Sequence, residues 1–223
     1  MLLAIDTATR WASIALYDGE RVWGEETWYS RNNHTVELMP RLVRLLAQQK
    51  VNPEMLTGLA VTRGPGSFTG LRIGLSVAKG MALALEIPIV GVPTLDVLAR
   101  AWERQTLPVC AVVQAGRGRV CVAFYVRRRG KWRKQGEDRL TTWELLSEEV
   151  TRRTLFCGEI DVQAAQLLRE RLGEHFVLAP PAASLRRAGY LAELGWERLH
   201  RGESDDLDTL SPLYLHQPVE KQA

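Results

Sequence analysis

Histidine and cysteine are scarce in this 223-residue chain, and their placement excludes most metal and nucleophile chemistry. His34, His175, His200 and His216 are scattered, with no H-x-x-x-H pair to set two imidazoles on one helical face for a metal. Cys110, Cys121 and Cys157 are odd in number, widely spaced and never in a C-x-x-C pair, so they supply neither a disulfide framework nor a zinc site. No G-x-S-x-G elbow and no Cys/His arrangement marks a nucleophile. The N-terminus has only a short apolar stretch. The stretch from Met1 to Ile5 ends at Asp6, too short for a signal peptide or a membrane span, so a reducing cytoplasm is the expected compartment. Charge of one sign is also lacking, since 29 Lys and Arg oppose 26 Asp and Glu. The exception is local: Arg117 to Arg139 holds nine basic residues against two acids. Such a segment suits RNA phosphates, and equally suits a hairpin whose charges face water and blunt a sheet edge.

What is present is an ordered alternation of elements. Leu2–Ile5, Trp11–Tyr17 and Arg21–Tyr29 have strand composition, and Asp18-Gly19 has the chemistry of a tight turn, so they predict an antiparallel meander. Helical spacing over Thr35–Gln49 follows, with Asn33 or Thr35 as cap and Pro40 expected in a first turn that tolerates it. A strand at Leu56–Thr62, a loop at Arg63–Thr69, a helix at Gly70–Glu86, a strand at Ile87–Val92 and a helix at Leu95–Arg104 complete a βββαβαβα order. After Pro108 the order recurs: strands at Val109–Val113, Val120–Val126 and Lys131–Leu140, then helices and strands ending in a helix over Ser184–Arg201. This doubling predicts an α/β chain of the actin-like ATPase (ASKHA) class, with two ribonuclease-H-like lobes, mixed sheets covered by helices, divided as residues 1–105 and 106–223.

Two segments concern phosphate. In working actin-like ATPases the turn after the first strand has an Asp for the metal and a glycine whose amide meets phosphate; here Asp6 is kept, but Ala8 stands at the glycine and Arg10 and Trp11 follow. Asp6 is therefore expected to hydrogen-bond its own turn. The loop Arg63-Gly64-Pro65-Gly66-Ser67-Phe68-Thr69-Gly70 runs into a helix, where amides attract anions, yet it lacks a P-loop's Gly-Lys-Ser/Thr ending and any G-x-G-x-x-G pattern. In the helix beyond it, Gly70, Gly74, Ala78 and Ala82 fall four apart on one smooth stripe, while Arg72, Ser76, Lys79 and Glu86 gather opposite. Glycine costs about 1 kcal/mol relative to alanine in a helix interior, so another backbone packs closely there, either from its own lobe or from a second protein.

With Ala4-Ile5-Asp6-Thr7-Ala8, the G-P-G-S-F-T-G-L-R stretch and Ile89-Val90-Gly91-Val92-Pro93-Thr94-Leu95, the chain resembles the bacterial TsaB (YeaZ) family, strongly over residues 1–100 and less afterwards. The resemblance implies a non-catalytic scaffold and activator that binds the catalytic paralogue TsaD, joined by the ATPase TsaE, in forming threonylcarbamoyladenosine in tRNAs that read codons beginning with adenine. It implies no cofactor of its own, though a nucleotide at the TsaD junction is compatible with it, and a homodimer when the chain is alone. The implied interface lies on the first two helices: His34, Leu38, Met39, Leu42, Leu45, Leu46, Gly70, Leu71, Gly74, Leu75, Ala78, Met81 and Ala82. Contact with tRNA is expected through the complex. An independent actin-fold kinase using Asp6, and an inactive glycoprotease-like protein, are the alternatives. The second lobe departs from the family: a D-A-R-x-x-E-V-Y hairpin is replaced by Gln114-Ala115-Gly116-Arg117-Gly118-Arg119-Val120-Cys121, and a terminal P-x-Y-L-R by Pro212-Leu213-Tyr214-Leu215-His216.

Overall fold

The computed structural model describes residues 1–31 and 33–215; His216, the altered end of the terminal motif, lies outside them. In chain order the elements are β1 (Leu2–Asp6), β2 (Trp11–Tyr17), β3 (Val22–Tyr29), α1 (His34–Gln48), β4 (Gly58–Gly64), α2 (Phe68–Leu85), β5 (Ile89–Pro93) and α3 (Thr94–Arg100). They continue with β6 (Val109–Gly116), β7 (Arg119–Arg128), β8 (Lys131–Thr142), α4 (Trp143–Glu149), β9 (Thr154–Gly158), α5 (Val162–Leu172), β10 (Phe176–Leu178) and α6 (Ala188–His200). Two compact units result, Met1–Val97 with Arg186–Leu213, and Leu98–Leu185 with Tyr214 and Leu215, so the division falls inside α3.

The first unit is built on a sheet of order β3-β2-β1-β4-β5. The meander β1-β2-β3 is antiparallel, whereas β4 and β5 run parallel to β1 because helices α1 and α2 carry the chain back between them. Alternation in β1 explains how both sheet faces are used. Leu3 and Ile5 pack with Leu38, Leu42, Leu45, Leu75 and Ala78 of α1 and α2, while Leu2 and Ala4 pack with Ala188, Leu191 and Ala192 of α6. A strand buried on both faces is continuously apolar, as Leu2-Leu3-Ala4-Ile5 is.

The sequence reading placed the last helix in the second lobe; the structure places α6 on the first sheet. Small residues let it sit close: Ala4, Ala15 and Ala60 offer a shallow surface, and Gly195 lies where a Cβ would overlap Ala60 Cβ. Pro40 also differs from expectation, since α1 starts at His34 and the proline falls inside the helix. Helix α2 is apolar enough in composition to cross a bilayer, yet Gly70, Leu71, Gly74, Leu75, Ala78 and Ala82 are buried within this fold.

The second unit has the order β10-β9-β6-β7-β8, with Cys110, Val112, Val120, Val122 and Phe156 packed on Leu146 and Val150 near α4 and Leu168 and Leu172 of α5. Strands β7 and β8 form a long hairpin whose turn, Arg129-Gly130, has both φ angles positive at 51° and 77°. That is the two-residue geometry matching strand twist. Replacing Gly195 with Leu should lower stability to urea by about 1–3 kcal/mol through overpacking of α6 on Ala60. An unchanged denaturation midpoint would contradict this assignment of α6.

Candidate functional site

Strand β1 delivers Asp6 to its C-terminal end, fully buried. One carboxylate oxygen accepts the Ala8 amide at 2.8 Å and the Thr62 hydroxyl at 3.0 Å. The local bonding expected of Asp6 is therefore present. The second oxygen accepts Nε of Arg186 at 2.9 Å, an ion pair with both side chains almost wholly out of water. The same guanidinium donates to Thr9 Oγ1 at 2.6 Å and to the Trp11 carbonyl at 2.9 Å. Arg186 stands two residues ahead of α6, so the docking of that helix brings a permanent cation to the acidic turn. Sequence reasoning missed Arg186 entirely.

The glycine-rich loop is folded onto the same turn. Ser67 caps α2 by accepting the Gly70 amide at 3.2 Å, and the Ser67 amide donates to the Ala8 carbonyl at 2.6 Å. A Cβ at Gly66 would overlap the Ala8 carbonyl, one at Gly70 the Thr7 carbonyl, and one at Gly74 the Thr7 hydroxyl, which itself donates to the Gly70 carbonyl at 2.7 Å. The glycines thus answer to the β1–β2 turn of their own unit. This corrects the expected interface: Gly70, Leu71, Gly74, Leu75, Ala78 and Ala82, with His34, Leu38, Leu42, Leu45 and Leu46 of α1, are buried in the first unit. They face the sheet because the four-residue spacing that makes a smooth stripe also makes the inward face of the helix. Met81 is half-buried and Met39 is exposed.

Large apolar residues also project outward from these two helices, among exposed polar ones such as Arg44, Arg72 and Ser76. Val36, Met39 and Val43 project from α1, with Val36 70% and Val43 59% exposed, and Phe68 and Leu83 from α2, with Leu83 71% exposed. Helices α1 and α2 touch, so these positions belong to one layer. Gly80 sits among them with open space around any Cβ, so nothing in its own fold requires a glycine there.

Among the described residues no three His, Cys, Asp or Glu are close enough together to hold a metal ion. Burial pushes the Cys121 and Cys157 thiols up to about 12 and that of Cys110 upward as well, which removes the reactive thiolate. His34 is buried with Nδ1 unpartnered; burial lowers its pKa, and nearby Glu37 acts in the opposite direction.

Comparisons with known proteins place these features. Residues 29–147 match the family model described as TsaD, tRNA N6-adenosine threonylcarbamoyltransferase. The tRNA threonylcarbamoyladenosine biosynthesis protein TsaB of Bacillus subtilis is 33% identical over 96% of this chain and 93% of that protein. This chain belongs to the TsaB family. The Escherichia coli TsaB is 36% identical over 67% of the chain and 65% of that protein. A crystal structure of YeaZ from Pseudomonas aeruginosa superposes with a TM-score of 0.76 at 27% identity, covering 96% of this chain and 99% of that one. Component A of (R)-2-hydroxyglutaryl-CoA dehydratase from Acidaminococcus fermentans, at TM-score 0.52 and 11% identity over 89% and 98% of the two chains, shares the fold alone. The actin-like ATPase architecture is thus common to a TsaB-family chain and to proteins of other activities.

Two outcomes follow for stability. Arg186→Ala should cost about 3–5 kcal/mol in urea denaturation by leaving Asp6 buried and unpaired, and the double variant Asp6→Asn, Arg186→Met should lose less than that single one. Because the folded pKa of His34 lies below its ordinary 6.5, the unfolded chain takes the proton first, so stability is full above pH 6.5 and declines as pH falls below it. The melting temperature of His34→Gln should fall less than the native chain's between pH 7.5 and 5.5; an equal fall would remove His34 from the account.

Proposed function

We propose that this TsaB-family chain is a non-catalytic scaffold and activator of the TsaB–TsaD–TsaE machinery that forms N6-threonylcarbamoyladenosine in tRNA, acting in the cytoplasm. The observation that carries the reading is the exposed apolar face of α1 and α2 beside an acidic turn that is closed by Arg186. An acid already neutralised by a buried guanidinium has little to offer a metal–nucleotide, so the chain brings no cofactor of its own. TsaD supplies the chemistry, TsaE joins the assembly, and any nucleotide shared between subunits sits at the TsaD junction.

The match to the TsaD model spans α1 and α2. A TsaD-type partner therefore carries counterparts of the same two helices, and two such layers pair by a pseudo-two-fold with apolar residues at the centre. Gly80 gives this pairing a place for close backbone approach. The same face serves a second copy of the chain when TsaD is absent, producing a homodimer, and tRNA is met through the complex.

Charge placed on this face tests the reading. Met39→Glu with Leu83→Glu should weaken TsaD binding at least 30-fold, on the order of 2 kcal/mol, and convert the isolated chain to monomer in light scattering, while the melting temperature stays near the native value. Gly74→Leu should instead lower stability, since its Cβ meets Thr7 inside the unit. Unaltered TsaD affinity in the doubly charged, folded variant would refute the interface.

A further inference from the structure

We propose that the tip of the β7–β8 hairpin is a docking site for an RNA sugar-phosphate backbone. From Arg127 to Lys134 there are six cations and no acid. Pairing of the strands sorts them onto two faces. Arg128 stands opposite Lys131 and Val126 opposite Arg133, which puts Arg128, Lys131 and Arg133 on one face, with Arg129 in the turn. Among the described residues, these four line a concavity of about 670 Å³. On the other face Arg127 pairs with Trp132, and Lys134, opposite Tyr125, is engaged with Asp138.

Among the described residues the cations of the concavity have no carboxylate partner, whereas Lys134, next in sequence after Arg133, does. Like charges directly opposite across a hairpin destabilise it, so Arg128 facing Lys131 is a standing cost. A hairpin that only needed to discourage edge pairing is served by one lysine or by mixed charge. A polyanion that threads the concavity removes the cost and releases its own counterions. Lys131 and Arg133 lie on one face two residues apart, roughly 7 Å along the strand, the order of spacing of successive phosphates. Trp132 stacks on Tyr125 at 5.8 Å and 8° between planes, so it stiffens the hairpin instead of projecting toward a bilayer. A concave cluster in which every described lining residue is a cation favours a rod of phosphates over a flat lipid surface. That the RNA is a tRNA rests on the function proposed above.

The experiment is fluorescence anisotropy of an unmodified tRNA transcript titrated with the full chain across a salt series, beside the variant Arg128→Ala, Arg129→Ala, Lys131→Ala, Arg133→Ala. The native chain should bind in the micromolar range at low salt with a log–log salt slope near −3, from about 0.7–0.9 per phosphate contact; the variant should lose at least tenfold in affinity and most of that slope. A control lacking the exposed Arg104, Arg153 and Arg201 should stay within threefold of native. Absence of native binding at low salt, an unchanged slope in the variant, an equal loss in the control, or a hairpin-dependent response to phosphatidylserine vesicles alone would overturn the proposal. Capture of TsaD by the quadruple variant reads the interface separately: retained capture with lost RNA binding supports the site, and loss of both overturns its independence from the α1–α2 face.

Discussion

The ion pair between Asp6 and Arg186 joins the first strand of the chain to the segment entering its last helix. Asp6 can be buried because its two oxygens accept an amide, a hydroxyl and a guanidinium; Arg186 can be buried because it also reaches Thr9 and the Trp11 carbonyl. A buried pair of this kind is weak evidence of extra stability, since desolvation offsets the attraction, but it is strong evidence of register. With the guanidinium in place, the turn after β1, the entrance to α6 and the strand β4 that carries Thr62 are held in one arrangement. The carboxylate expected to serve a metal in a working actin-like ATPase is here paired with the protein's own cation.

Once that turn is closed, the glycines around it acquire a structural meaning. Gly66, Gly70 and Gly74 lie against the carbonyls and hydroxyl of Thr7 and Ala8, so the loop that looks like a phosphate cradle is a cradle for a neighbouring turn. Inward packing of the small stripe turns a different set of residues outward, and that set includes the large apolar Val36, Met39, Val43, Phe68 and Leu83. Helix α2 thus carries apolar residues inside and outside with few charges between, which is why its composition alone passes for a membrane span. A layer with a sheet beneath it and apolar residues above it suits a protein partner.

Much of this was legible in the sequence. The bounds of β2 coincide with the expected ones, and most other elements differ by one to three residues, because period-2 and helical patterns in short elements are local signals. Asp6 bonding its own turn was likewise local. What stayed hidden was long-range. Arg186 is 180 positions from Asp6 and sits in an unremarkable Ser184-Leu185-Arg186-Arg187 stretch, so no spacing rule links the two. The pattern of α6 specified a helix but not which sheet it covers. The glycine spacing of α2 specified a close approach and left open whether the chain's own lobe or a second protein makes it; the resemblance put the stripe at a partner interface, whereas Thr7 makes the approach. Gly80 was the clue that was overlooked: two residues past Ala78 it is out of phase with the buried stripe, so the spacing alone places it on the outer face.

The account stands or falls on whether the acidic turn is occupied by Arg186 at the expense of nucleotide. Calorimetric titration of Mg-ATP into the isolated chain measures this directly. The closed turn predicts no saturable heat up to millimolar nucleotide. Saturable binding that disappears in Asp6→Ala would contradict it, because the carboxylate would then be serving a metal–phosphate complex and not the guanidinium.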